Sequence, residues 1–207
     1  MTGVQTCALP ILSFVNGSLE TINSKLNKPT FGIGVGFEYK INPIFKPELG
    51  LIYLVGNVSD RLITIPEKLI SENTSVKIYA INASFCPKIC FDTDEENFYL
   101  QLIPIYNYTI VNAQSTFTIT DTKTNKITST EVSIFQENRH SFGIGIGLVL
   151  FTGYEYMPKI AGNLNYANIE LGSALRNLKN YTSDLRTNQT LSLELKFYFA
   201  FTKRKNI

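Results

Sequence analysis

Few residues of this chain are of a type and spacing that could do chemistry. The chain has one histidine, His140, and it is followed directly by Ser141. Adjacent residues of a strand point to opposite faces, so these two side chains could not form a nucleophile–base pair directly. A hydrolase built on serine, histidine and aspartate is therefore the third-ranked hypothesis. We predict no catalytic residues, no cofactor and no metal site.

Two glycine-rich runs are faintly similar to phosphate-binding loops. They are Gly32-Ile-Gly-Val-Gly36 and Gly143-Ile-Gly-Ile-Gly147. A dinucleotide fingerprint needs Gly-x-Gly-x-x-Gly between a strand and a helix. Here the glycines alternate strictly and no helix follows, so we interpret them as strand positions that allow curvature or leave room for larger residues opposite.

Two cysteines lie four residues apart, in Cys86-Pro-Lys-Ile-Cys90. On a regular strand both point to one face, roughly 13 Å apart at about 3.3 Å per residue. A disulfide needs Cα atoms within about 7 Å. The two could pair only if Pro87 breaks the strand; otherwise they fill space, and no histidine or further cysteine lies close in sequence to complete a metal site.

The composition limits the class of protein. The 207 residues suffice for one domain, and they are 44% hydrophobic and only 17% charged, below the usual quarter of a soluble domain. The net charge of +2 is too small to favour a nucleic acid partner. The best apolar run, Phe142 to Phe151, is about half as long as a membrane-spanning helix needs to be. Such a chain must bury its apolar residues in a core or turn them to lipid as a barrel.

Alternation with a period of two is the dominant pattern and predicts strands. It is clearest at 31–41, 141–151 and 191–201. These runs exceed the five or six residues usual in soluble strands and match the 9–11 of a tilted membrane strand. Weaker strands are predicted at 45–56, 76–86, 98–110 and 159–169, and residues 12–16 are predicted to be the end of a further strand.

The face opposite the apolar one would point into the lumen of a barrel. The polar residues predicted there are Glu38, Lys40, Glu48, Gln101, Asn107, Glu194 and Lys196. An interior of eight strands is about wide enough for side chains to fill, and opposite charges inside it should pair. A packed, salt-bridged interior is one prediction; a narrow conduit or a small ligand cavity is the alternative.

The links between these strands alternate in length. Short links are predicted at 42–44, 92–97 and 152–158, and long ones at 17–30, 57–75, 111–140 and 170–190. Outer-membrane barrels have short periplasmic turns and longer outer loops, so we predict an antiparallel up-and-down transmembrane β-barrel of about eight strands. The longest link, 111–140, could extend the barrel as a hairpin above the membrane.

Aromatic residues near strand ends would form the girdles of such a barrel; they are Phe31, Tyr39, Phe151, Tyr154, Tyr156, Phe199 and Phe201.

The chain ends are treated separately from the barrel. Residues 1–11, which include Cys7, look like the translation of a sequencing adapter, so we exclude them from fold reasoning. The alternative is a genuine N-terminal strand. On the first interpretation the barrel domain is 12–201, its first strand is truncated, and a signal peptide is missing from this fragment. Residues 202–207 are predicted to be a polar, solvated tail.

Several segments together resemble the outer-membrane protein beta-barrel domain family, sometimes labelled PorT-like. They are the stretch from Lys28 to Tyr39, Pro47 to Tyr53, Phe98 to Leu102, Phe142 to Gly147 and the closing Leu191 to Phe201. The resemblance spans about residues 12–201 and implies a Gram-negative outer-membrane barrel without catalytic residues. Family members usually end near an aromatic residue that resembles the signal for barrel-assembly machinery; here six residues follow Phe201.

These observations predict an integral outer-membrane protein that is not an enzyme and has a structural, adhesive or transport-related role. Its expected partners are outer-membrane lipid and, during insertion, the barrel-assembly machinery; we expect a monomer and no nucleic acid. Short turns and the C-terminus would be periplasmic and long loops extracellular. The alternative is a soluble, lipocalin-like barrel that binds an apolar small molecule inside, with the Ile/Phe face inward. The glycine-rich face argues against this, because solvent-facing strand positions favour Thr, Lys and Glu.

Overall fold

Eight antiparallel strands form a closed barrel in the computed structural model of the chain. The structure describes residues 8–19, 29–91, 98–150, 159–167, 174, 177–178 and 190–199. The strands are β1 Ala8–Leu19, β2 Pro29–Tyr39, β3 Phe45–Ile65, β4 Ile70–Phe91, β5 Phe98–Asp121, β6 Lys126–Leu150, β7 Lys159–Ala167 and β8 Thr190–Tyr198. Each strand pairs with its neighbours in sequence, and β1 also pairs with β8. The predicted all-β, up-and-down barrel of eight strands is confirmed.

The barrel carries its apolar residues on the outside. On β2, Phe31, Ile33, Val35 and Phe37 are between 52% and 60% exposed, whereas the intervening positions from Gly34 to Glu38 are buried. The lipocalin-like alternative needs the Ile/Phe face inside, and the structure has the opposite arrangement. In the described part of the chain, no helix is long and apolar enough to cross a membrane.

Four consecutive strands are about twice as long as the others. Strands β3 to β6 have 21, 22, 24 and 25 residues, whereas β1, β2, β7 and β8 have between 9 and 12. β2 pairs with β3 only as far as Gly56, and β7 pairs with β6 only as far as Gly143. The β3–β6 sheet therefore continues beyond the rest of the barrel; we call its residues 57–76 and 113–135 the protruding sheet.

The protruding sheet corrects two of the predicted links. Most of 57–75 and of 111–140 is strand, not loop, although the suggestion that 111–140 extends the barrel as a hairpin is confirmed. The apolar alternation fades in this sheet because it extends past the apolar outer wall, while its β-branched Thr, Val and Ile still favour strand. A single turn of 3-10 helix, Pro66–Lys68, connects β3 to β4.

The tip of the β5–β6 hairpin is held by a carboxylate. Asp121 Oδ1 accepts hydrogen bonds from the backbone N–H groups of Lys123 (2.7 Å) and Thr124 (3.0 Å). The bonds from Thr124 and Lys123 hold the pKa of the Asp121 carboxyl below its ordinary value. Thr122 N donates to the carbonyl of Leu69 at 2.9 Å, which ties this tip to the β3–β4 turn.

The ends of the chain are only partly described. β1 begins at Ala8, so the strand end predicted at 12–16 belongs to a twelve-residue strand that includes part of the excluded segment. The assignment of residues 1–11 to an adapter stays a prediction. The tail 202–207, the links 92–97 and 152–158, and four residues of the predicted girdles lie outside the described residues. Those four residues are Phe151, Tyr154, Tyr156 and Phe201.

Candidate functional site

A cluster of charged side chains fills the barrel interior near the 41–44 turn. Lys88 Nζ donates to Glu38 Oε2 at 2.8 Å and to the Tyr198 hydroxyl at 2.7 Å, and it also forms an ion pair with Glu48. Lys196 Nζ contacts Glu48 Oε1 at 2.6 Å and Glu194 Oε2 at 3.0 Å. Each ammonium group thus bridges two carboxylates, and we call these groups the charged cluster.

The charges of the interior balance. The buried charged side chains of the described residues are three carboxylates and three ammonium groups: Glu38, Glu48, Glu194, Lys46, Lys88 and Lys196. Lys46 is not bonded to a carboxylate in this cluster; its Nζ lies 3.8 Å from the ring centroid of Tyr99, which is a cation–π contact. A buried charge without a partner is costly, so a neutral set is the arrangement that a closed interior requires.

Side-chain amides continue the network toward the protruding sheet. Gln101 Nε2 donates to Asn163 Oδ1 at 2.6 Å, and Asn163 and Asn165 donate to Glu194 Oε2 at 3.3 and 3.1 Å. A second group joins Asn82 to two residues of β5. Its bonds are Asn82 Nδ2 to Asn107 Oδ1 at 3.0 Å and Thr109 Oγ1 to Asn82 Oδ1 at 2.8 Å.

An apolar layer closes the interior beyond the amides. It consists of inward residues of β4 and β5 together with two residues from the connection between β7 and β8: Val76, Ile78, Ala80, Val111, Ala113, Ala174 and Leu178. Ala174 and Leu178 are buried in this layer, so two residues outside the strands pack against the inner face of β4 and β5. Charged, amide and apolar layers therefore follow one another along the lumen.

The structure places the seven predicted lumen residues as follows. Six are buried in the interior: Glu38, Glu48, Gln101, Asn107, Glu194 and Lys196. Lys40 is exposed, which corrects its assignment. β2 ends at Tyr39, and Asn42 Oδ1 accepts bonds from the N–H groups of Ile44 (2.9 Å) and Phe45 (2.6 Å), so strand alternation no longer applies at Lys40.

Sequence reasoning missed two interior lysines, Lys46 and Lys88. Lys46 lies two residues before Glu48 on β3 and Lys88 two residues after Cys86 on β4, so each shares the inward face of its strand. Lys88 was missed because the strand prediction stopped at Cys86, before Pro87. The strand nevertheless continues through Pro87, which faces outward opposite Pro47 of β3. The pairing of β4 with β5 is interrupted between Phe85 and Ile89, so the missing N–H group of Pro87 is tolerated there. Cys86 and Cys90 are consequently both buried on the inner face as free thiols.

The arrangement favours a structural interior. His140 lies on the exposed face of β6 and Ser141 on the buried face, so the two do not meet. Among the described residues, no group of three or more His, Cys, Asp and Glu side chains is placed to hold a metal ion. The interior carboxylates are all engaged by lysines, amides or Tyr198, and chemistry on a substrate would have to displace these partners.

Comparisons with known proteins add only general likenesses. No protein-family model and no curated protein matches the chain. Among solved structures, Ail of Yersinia pestis in complex with the heparin analogue sucrose octasulfate is 13% identical, with a TM-score of 0.47 over 95% of this chain and 99% of that one. Neisserial surface protein A is 13% identical (TM-score 0.44, 95% and 97%). A major outer membrane protein from Thermus thermophilus is 11% identical (TM-score 0.48, 93% and 99%). The PorT-like resemblance stays a prediction.

Proposed function

We propose that this chain is an integral outer-membrane β-barrel, sealed inside, that anchors the protruding sheet at the cell surface in an adhesive or scaffolding role. The observation that carries the proposal is a barrel with an apolar outside and an interior in which the described buried carboxylates and ammonium groups are equal in number. The described interior carboxylates are bonded to lysines, amides or Tyr198, which favours this role over catalysis inside the barrel.

The outer wall supports a lipid environment. Large apolar side chains are exposed on every strand from β2 to β8, for example Leu51, Ile81, Leu100, Ile146 and Leu195. Exposing one such side chain to water instead of burying it costs about 1.5–3 kcal/mol. A wall of them is stable only where lipid covers it, and β1, β2, β7 and β8 have about the length that crosses a bilayer as tilted strands.

The orientation follows from how far the chain extends beyond the apolar outer wall at each end of the barrel. The turn at 41–44 is short, whereas the protruding sheet lies at the opposite end of the barrel. Since outer-membrane barrels keep short turns in the periplasm, the sheet would be extracellular and the C-terminus periplasmic. Outer-membrane lipid and, during insertion, the barrel-assembly machinery would be the partners of a monomeric barrel.

Cysteine labelling in intact cells tests this orientation. In a Cys7→Ser background, Thr124→Cys at the tip of the sheet should react with a membrane-impermeant maleimide, and Lys40→Cys at the short turn should react only after the outer membrane is permeabilised. Cys86 and Cys90 are buried and should stay unlabelled in the folded chain. Equal labelling of the two variants in intact cells, or the reverse order, would contradict the proposal.

A conductance measurement tests the sealed interior. In a planar lipid bilayer in potassium chloride, the purified chain should produce no stable current steps, because Lys88 and Thr109 in successive layers are fully buried. A large porin in the same bilayer serves as the positive control. Reproducible steps of uniform size would support the transport alternative instead.

A chain that stays folded and monodisperse without detergent would overturn the membrane assignment itself.

A further inference from the structure

The outward face of β5 and β6 changes from aromatic to amide side chains over four successive residue pairs. The pairs are Tyr106 with Phe142, Tyr108 with His140, Ile110 with Asn138, and Asn112 with Gln136. All of these residues are outward, since the alternate positions are the inward ones. We call the set Tyr106, Tyr108, Asn112, Gln136, Asn138 and His140 the amide–aromatic face.

The aromatic part of this face is organised by contacts among its own rings. The Tyr106 hydroxyl and His140 Nδ1 share a hydrogen bond of 2.7 Å, and their rings stack at 6.0 Å with 23° between the planes. The ring centroid of Tyr108 lies 4.9 Å from that of His140, with 44° between the planes. The rings of Tyr106, Tyr108 and His140 form one platform on the outer wall. The hydrogen bond to Tyr106 uses Nδ1 of His140 and not Nε2.

The amide part of the face has unused hydrogen-bonding capacity. Within the described ranges, the side chains of Asn112, Gln136 and Asn138 make no hydrogen bond, and Gln136 and Asn138 are exposed. Each amide offers two donors and one acceptor. Successive outward positions of a strand lie roughly 6.6 Å apart, so the amides continue the platform upward as an array of donors and acceptors.

The face adjoins the lipid-facing wall directly. On β6, Phe142, Ile144 and Ile146 are exposed immediately below His140, with Phe142 at 72%. Acyl chains that cover these residues bring their own headgroups to the level of His140, Asn138 and Gln136. The occupant of the face is thus a lipid headgroup, because its surface is continuous with the surface that the acyl chains occupy.

The charges select the kind of headgroup. The outward positions of β5 and β6 from Tyr106 to Gln114 and from Ile134 to Phe142 carry no Lys, Arg, Asp or Glu. On the neighbouring strand β4, the exposed Lys77 pairs with Gln114, one outward position beyond Asn112. Arg139 and Glu137, on β6, point inward and form an ion pair with each other. A phosphate group prefers cationic donors, whereas sugar hydroxyls are satisfied by neutral amides and by aromatic rings that offer an apolar body with a polar tip.

We propose that the amide–aromatic face binds the uncharged sugar headgroup of an outer-leaflet glycolipid. The platform of Tyr106, Tyr108 and His140 packs against the apolar face of a sugar ring, while Asn112, Gln136 and Asn138 bond its hydroxyls. This inference rests on the proposed function, since it needs β5 and β6 to cross the bilayer with their amide positions at the outer surface.

Lipid retention measured on defined vesicles tests the inference. The purified chain is reconstituted into vesicles of phosphatidylethanolamine with equal small fractions of digalactosyldiacylglycerol and phosphatidylglycerol, and the retained lipid is quantified by native mass spectrometry. The triple variant Asn112→Ala/Gln136→Ala/Asn138→Ala removes the amides. The variant Thr116→Ala/Thr118→Ala/Thr130→Ala is the matched control, because it removes three polar groups from the same sheet farther from the lipid-facing wall.

The parent chain and the control should retain the galactolipid about tenfold more than phosphatidylglycerol, as expected for a few net hydrogen bonds. The triple variant should retain the two lipids equally. Equal retention by the parent, preferential retention of phosphatidylglycerol, or an unchanged preference in the triple variant would overturn the inference. A parent chain that enters no vesicle at all would instead overturn the proposed membrane function, so the two failures are distinguishable.

Discussion

Replacing Lys88 by methionine should destabilise the barrel by about 3–5 kcal/mol, the cost of breaking a buried ion pair by removing one partner. Lys88 is fully buried and is bonded to Glu38, Glu48 and Tyr198. Without the ammonium group, Glu38 loses the one cation bonded to it among the described residues, and the interior acquires one uncompensated negative charge. Methionine keeps most of the side-chain volume, so the change reports charge more than packing.

Urea unfolding in detergent micelles, followed by heat-modifiable gel migration, measures this loss. Lys77→Met is the matched control, since Lys77 lies on the same strand but is exposed and should change stability by no more than about 0.5 kcal/mol. The double variant Lys88→Met/Glu38→Gln restores a neutral interior and should recover part of the loss. Equal midpoints for Lys88→Met and Lys77→Met would show that the charged cluster does not stabilise the barrel.

Strand alternation let the sequence predict which way most interior residues face. Side chains of a strand alternate between its two faces whatever the strand pairs with, so Glu38, Glu48 and Glu194 could be placed inside without knowing the register. The partners of these residues could not be predicted in the same way. Lys88 and Tyr198 are 110 positions apart, and only the closed register of the barrel brings them together.

Strand ends and strand lengths were harder to predict than faces. Lys40 was placed inside because the alternation was extended one residue past the end of β2, where the Asn42 turn takes over. Lys88 was missed for the opposite reason, since a proline usually argues against a central strand. The protruding sheet was predicted mainly as loop because the alternation that marks membrane strands needs an apolar outer face, and that sheet extends past the apolar outer wall.

The glycines of β2 were predicted to allow curvature or to leave room for larger residues opposite, and the structure shows a closer constraint at Gly36. A Cβ atom at Gly36 would lie 2.5 Å from the carbonyl oxygen of Leu49 and 3.2 Å from the Cα of Gly50, both of them backbone atoms. Since Gly36 pairs with Gly50 across β2 and β3, relief of this contact requires the two strands to move apart.

Gly36→Ala should therefore destabilise the barrel by at least the roughly 1–3 kcal/mol of an overpacked core, although it adds a single methyl group. Gly162→Ala is the matched control, because a Cβ atom at this outward position of β7 meets nothing within 4 Å. The control should change stability by no more than about 0.5 kcal/mol.

The same urea titration in micelles compares the two alanine variants. A Gly36→Ala chain that yields no heat-modifiable folded band, beside a normal Gly162→Ala chain, agrees with the expected clash. If the two variants instead unfold at the same urea concentration, β2 and β3 are not in the close contact described, and the glycines of β2 reflect chain curvature alone.

Because Gly36 lies two residues from Glu38, a shift of β2 would also move that carboxylate relative to Lys88. The combined variant Gly36→Ala/Lys88→Met should accordingly lose less stability than the sum of the single losses, as residues that share a contact network do.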